Sequence, residues 1–81
     1  MERKEILKRV NEIFCDVFDD DTIVIRDQTT ASDIPDWDSL MQIELVAENE
    51  SHFGIRFGMK EVLNMKNVGE MVDIIAERAT K

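Results

Sequence analysis

The chain has 81 residues, 43% of them hydrophobic, with eighteen Asp and Glu against ten Lys and Arg for a formal net charge of -8. That length holds one domain, residues 1–81, and no apolar run approaches the ~20 residues needed to span a bilayer. A surface this acidic repels a phosphate backbone, which excludes the usual mode of nucleic-acid binding.

The first residues, Met1-Glu2-Arg3-Lys4-Glu5, have neither the apolar stretch nor the small-residue cleavage site of a signal peptide, so the expected address is the cytoplasm. From residue 3 to residue 18 the apolar positions Ile6, Leu7, Val10, Ile13, Phe14, Val17 and Phe18 follow the i, i+3, i+4, i+7 template of an amphipathic helix. Cys15 lies inside that pattern. As the only cysteine it allows no internal disulfide and no cysteine-based metal site, and its expected role is structural. The triplet Asp19-Asp20-Asp21 opposes the helix macrodipole and should end the helix. It is not a calcium loop. Ile23 falls on the third ligand position of an EF-hand and Val24 on its glycine position.

Residues 19–38 read as a long loop. Thr22-Ile23-Val24-Ile25 is β-prone but has no second strand to pair with, so it should lend side chains to the core as extended loop. A helical turn fits within residues 28–33, and Trp37 is expected to anchor the loop on the surface of the helices. Asp38 and Ser39 are both good N-cap residues, and Ser39-Leu40-Met41-Gln42 matches the S-x-x-Q capping box. A second helix should run from Ser39 to about His52 and stop at Gly54. Along it, Asn49 lies four residues from both Leu45 and Phe53. Its amide therefore sits at or near the interior, or half-exposed at the rim if the helix is slightly rotated. From Asp27 to Ile55 the chain has seven acids and no Lys or Arg, so Ser39 is the centre of a negative stretch suited to basic partners, or merely to solvation.

Residues 59–64 suggest a short helix after Gly58. A last helix should begin at Asn67 as N-cap, with Glu70 completing a second capping box and Val68, Met71, Val72, Ile75 and Ala79 as its apolar stripe. The expected fold is all-α: a small four-helix bundle, three helices longer and one short, with the long loop between the first and second. No enzyme is legible. His52, the only histidine, is thirteen residues of helix or roughly 20 Å from Ser39, too far for a nucleophile–base pair. The three glycines are scattered and make no phosphate loop.

Asp38-Ser39-Leu40 at a loop-to-helix junction, after an amphipathic helix and before Phe53-Gly54-Ile55, resembles the attachment motif of acyl carrier proteins over nearly the whole chain. The resemblance implies a non-catalytic carrier. Ser39 would bear 4′-phosphopantetheine and hold acyl or aminoacyl cargo as a thioester, with Asp38 helping the modifying enzyme engage the serine. It implies recognition by partners through Leu40, Met41, Ile43, Glu44, Ala47 and Glu48 on the second helix. The implied partners are a phosphopantetheinyl transferase, an acyl- or aminoacyl-loading ligase, and downstream transferases or synthases acting on a monomer, without nucleic acid, membrane insertion or metal. Two positions depart from the fatty-acid members: Met41 where an acid is common, and Asn49 where an aliphatic residue is usual. They weaken the case for a housekeeping fatty-acid carrier and open the cargo to a specialised acyl or aminoacyl group. An unmodified acidic helical interaction module is the alternative class.

Overall fold

The apolar stripe of the first predicted helix is the centre of the molecule. In a computed structural model, described here for residues 2–79, helix α1 spans Arg3–Phe18 and buries Ile6, Val10 and Phe14 completely. It packs against both α2 (Ser39–Phe53) and α4 (Val68–Arg78), while the short α3 (Met59–Asn64) leans on α2. Leu45 of α2 and Val68, Met71, Val72 and Ile75 of α4 complete the fully buried core, so the stripe expected of the last helix is the one buried. The described residues contain no β-strand, and the all-α bundle with a long first connection is as expected.

The first two helices stop for local reasons. The last turn of α1 ends with Asp19 in the left-handed region (φ 52°), which Asp tolerates better than most side chains. The N–H groups of Asp19 and Asp20 then satisfy the carbonyls of Asp16 and Cys15. Gly54 does the same for α2 at φ 66°, donating to Glu50 O at 2.9 Å. At the start of α4 only half the expected capping box forms. Asn67 Oδ1 accepts from Glu70 N at 2.9 Å, but the Glu70 carboxylate reaches one residue further back, to Lys66 N at 2.7 Å.

The β-prone patch is indeed extended loop, with Ile25 buried, Ile23 half-buried and Val24 74% exposed. What replaces the missing strand is one amide. Asn11 of α1 donates to Ile23 O at 3.1 Å and accepts from Ile25 N at 2.7 Å, so a single side chain supplies both backbone partners. Cys15 stands beside it with its thiol 3.5 Å from Ile23 O. Burial, reinforced by Asp21, Asp16 and Asp20, pushes the thiol pKa up, which keeps it protonated and agrees with a structural role.

Further along, the loop closes onto α4. The carbonyls of Asp27 and Thr29 accept from Gly69 N at 2.8 Å and Val68 N at 2.9 Å, two of the N–H groups that a helix start leaves without an internal partner. Arg3 reinforces the seam, donating to Asp27 (2.7 Å), Asp73 (2.9 Å) and Gly69 O (3.1 Å). A Cβ on Gly69 would lie 2.9 Å from Asp27 O, a backbone atom that cannot swing aside. Gly69→Ala should therefore lose more to overpacking than it gains in helix propensity, a net destabilisation of about 1–2 kcal/mol. Urea titration reads this directly; an alanine variant with a midpoint at or above wild type contradicts it.

The short α3 has no fully buried residue. It is held by Glu61, whose carboxylate takes both guanidinium arms of Arg78 and also accepts from Gly58 N at 2.7 Å. The guanidinium first, and the Gly58 N–H second, hold the Glu61 carboxyl below its ordinary range. Arg78 also donates to Arg56 O at 2.8 Å, so one side chain of α4 holds both α3 itself and the chain leading into it.

Candidate functional site

Two adjacent residues could each have capped α2, and the structure uses Asp38. Its backbone is extended (φ -116°, ψ -172°) and its carboxylate accepts from Met41 N at 2.9 Å. Ser39 is the first helical residue, so the expected Ser39–Gln42 capping box does not form. The physical reason is that a cap must leave the helical conformation, and only one of two neighbours can hold that position. Ser39 is consequently exposed, and its hydroxyl has no hydrogen-bond partner among the described residues.

Gln42, freed from capping, ties the loop to the helices instead. Its Oε1 accepts from the Trp37 indole N–H at 2.8 Å and its Nε2 lies 3.5 Å from Met65 Sδ. The Trp37 ring meets Phe14 edge-on, centroids 5.1 Å apart at 86°. Trp37 is thus the loop anchor expected from the sequence. Between these groups and α3 lies an open cavity of about 440 Å³, lined by Ala31, Trp37, Asp38, Ser39, Gln42 and Ile43 on one side and Val62, Leu63, Met65 and Lys66 on the other.

The remaining residues singled out by the sequence lie along the outer face of α2. Leu40 and Ile43 are 69% and 61% exposed. Glu44, Ala47 and Glu48 are exposed and Met41 is half-buried. Helical periodicity alone does not separate Leu40 and Ile43 from Leu45 and Val46, which face inward. The seven acids between residues 27 and 55 are unequal. Asp27, Asp33, Asp38 and Glu50 are each engaged, by Arg3, Thr30, Met41 N and Phe57 N respectively. Asp36, Glu44 and Glu48 are exposed and have no hydrogen-bond or ion-pair partner among the described residues, so they carry the uncompensated charge near Ser39. His52 is exposed at the far end of α2, edge-on to Phe53.

Asn49 is fully buried, which removes the half-exposed alternative. Its Nδ2 donates to Leu45 O of its own helix at 2.8 Å and lies 3.4 Å from Met71 Sδ on α4. The loop, one of the partners anticipated for this amide, does not reach it. Its Oδ1 has no partner among the described residues.

A family model for the phosphopantetheine attachment site matches residues 8–75. The acyl carrier protein of Acidothermus cellulolyticus is 37% identical over 76 residues, covering 94% of this chain and 90% of that one. The chain belongs to the acyl carrier protein family. A second acyl carrier protein, from Rubrobacter xylanophilus, is 31% identical over 80 residues and 99% of each chain. Among solved structures, the solution NMR structure of a holo acyl carrier protein from Geobacter metallireducens superimposes with a TM-score of 0.85. It is 40% identical and covers 90% of this chain and 84% of that one.

Membership decides between the two classes left open by the sequence: this is a phosphopantetheine-carrying acyl carrier and not an unmodified interaction module. Acyl carrier proteins are non-catalytic. They are served by a phosphopantetheinyl transferase and by biosynthetic enzymes. Among the described residues no helix is long and apolar enough to cross a membrane.

The start of α2 fits such a prosthetic group. Ser39 N and Leu40 N, unlike the equivalent N–H groups of α4, have no partner among the described residues. They are therefore available to a phosphodiester on the adjacent hydroxyl, at the helix end where the dipole favours negative charge. When bound, 4′-phosphopantetheine supplies a thiol on a flexible arm, which holds cargo as a thioester. The Ser39 hydroxyl is exposed, has no competing hydrogen bond among the described residues and stands beside the open groove.

Proposed function

We propose that Ser39 is the residue that carries 4′-phosphopantetheine and, through it, acyl or aminoacyl cargo for a loading ligase and downstream transferases or synthases. The observation that carries this reading is the exposed, unbonded Ser39 hydroxyl at the first position of α2, beside a 440 Å³ groove and inside the family-matched region. Asp38 contributes by fixing the helix start, since its carboxylate is already committed to Met41 N. The protein works as a single cytoplasmic domain, residues 1–81, and as a monomer. The test is incubation with CoA and a broad-specificity phosphopantetheinyl transferase, followed by intact mass and peptide mapping. A single adduct on the peptide containing Ser39 supports the assignment, and an adduct on any other residue sinks it.

Partners read the outer face of α2. Leu40, Met41, Ile43 and Ala47 offer the apolar contacts, and Glu44 and Glu48 the charge. Because Glu44 and Glu48 have no ion-pair partner among the described residues, their field steers a basic partner toward Ser39. Glu44→Lys should slow association with the transferase several-fold at low salt, and the wild-type rate should fall as salt rises. Stopped-flow association across a salt series checks both. A wild-type rate indifferent to salt, with Glu44→Lys neutral, removes this part of the reading.

A further inference from the structure

Two polar side chains are buried among the described residues, and one has an evident purpose: Thr29 closes a loop turn by accepting from Arg26 N, much as the half-buried Asn11 holds Ile23 and Ile25. Asn49 does not. It is fully buried, its donor end is spent on Leu45 O and Met71 Sδ, and its acceptor Oδ1 faces the interior unpaired among the described residues. The carbonyl of Leu45 belongs to its own helix, so the contact fixes the rotamer without joining two elements. A buried acceptor left without a donor is unfavourable, and native structures rarely keep one without a use.

Its position suggests the use. Asn49 lies seven residues after Gln42, two helical turns or about 10 Å along α2 and nearly on the same face. Gln42 lines the groove that holds Ser39. Both amides direct Nδ2 or Nε2 at a methionine sulfur on the opposite wall, Met65 for Gln42 and Met71 for Asn49. The inward face of α2 therefore runs from the groove into the core with an amide at each end and Leu45 and Val46 between. A methionine wall is deformable, since the unbranched thioether side chain repacks readily. Cargo tethered at Ser39 and tucked along this face has Gln42 at the entrance and an unfilled acceptor at the end.

We propose that Asn49 determines cargo class: the interior of this carrier favours short acyl groups bearing a hydrogen-bond donor, such as a β-hydroxyl, over long saturated chains. The inference rests on Ser39 being the attachment site. A hydroxyl reaching Oδ1 supplies the donor that the bundle lacks. A methylene chain in the same place seals the acceptor away from any donor. Asn49 acts on the cargo by contact and selects it; it takes no part in forming the thioester.

The test loads wild type, Asn49→Leu and the more volume-tolerant Asn49→Met with butanoyl, β-hydroxybutanoyl and dodecanoyl groups, each verified by intact mass. Two readouts are taken: the melting temperature, and the Asn49 side-chain amide resonances in wild type. The hydroxylated group should move those resonances and raise the wild-type melting temperature more than butanoyl does. That difference should vanish in both variants. Dodecanoyl should stabilise the variants but leave wild type near its unloaded value. Dodecanoyl stabilising wild type as strongly as either variant overturns the inference, as does a β-hydroxybutanoyl group that leaves the amide where butanoyl leaves it. A wild type that gains no mass overturns the attachment reading instead, and the two failures are told apart by the spectrum.

Discussion

Ser39→Ala should take up no prosthetic group while melting as the wild type does. The first half follows from chemistry, because the substitution deletes the only hydroxyl at the start of α2. The second half follows from geometry. Had Ser39 been the cap, as its sequence pattern permits, its loss would cost about 1 kcal/mol. Asp38 holds that position, with its carboxylate 2.9 Å from Met41 N. The Ser39 hydroxyl makes no hydrogen bond among the described residues, so its replacement should lie within about 0.5 kcal/mol of neutral. Intact mass and a denaturation curve on one preparation check both halves. A labelled alanine variant refutes the assignment of the site, and a variant destabilised by a full cap refutes the assignment of the helix start.

The largest effect on stability should come from Phe14→Ala. The ring is completely buried, meets Trp37 edge-on at 5.1 Å and lies 5.9 Å from Phe18. Truncating a buried phenylalanine costs about 3–5 kcal/mol in transfer and cavity terms. A chain of 81 residues has roughly 4–12 kcal/mol in total at ~0.05–0.15 per residue, so the variant should sit near its unfolding threshold at room temperature. Trp37 also loses its packing partner, and it is the residue immediately before Asp38 and Ser39. Indole fluorescence should therefore shift toward an exposed spectrum under conditions where wild type is still native. Urea titration followed at the indole gives both numbers, and a midpoint within experimental error of wild type rules the account out.

The helices were legible because periodicity and end signals agree. The template over residues 3–18, Gly54 after α2 and Asn67 before α4 each reproduce a boundary to within a residue. Asn49 was placed near the interior by spacing alone. Other features, beside the half-formed capping box of α4, are not contained in local pattern. Ser39 against Asp38 was undecidable from residue type, since both cap well and only the backbone conformation separates them. The sequence pattern also gave no way to tell that four of the seven central acids are tied down by local partners. Finally, the roles of Asn11 and Gly69 went unnoticed. Each had left a signal: a lone extended segment needs both a donor and an acceptor, which one amide provides, and a glycine inside a helix costs about 1 kcal/mol against alanine and asks for a reason. Long-range closure supplies that reason, and local pattern does not contain it.

The seam between the long loop and the start of α4 has a consequence for biosynthesis. The carbonyls of Asp27 and Thr29 find their donors forty residues later, at Gly69 and Val68, and Arg3 finds Asp73 only near the other end of the fold. The buried face of α1 is likewise shared between α2 and α4, so a nascent chain ending before α4 has half a core and an untethered loop. Such a chain contains Ser39 but lacks the ordered junction that displays it. Closure of the core and of the loop seam therefore waits on translation of α4, which supplies half of the surface that buries α1.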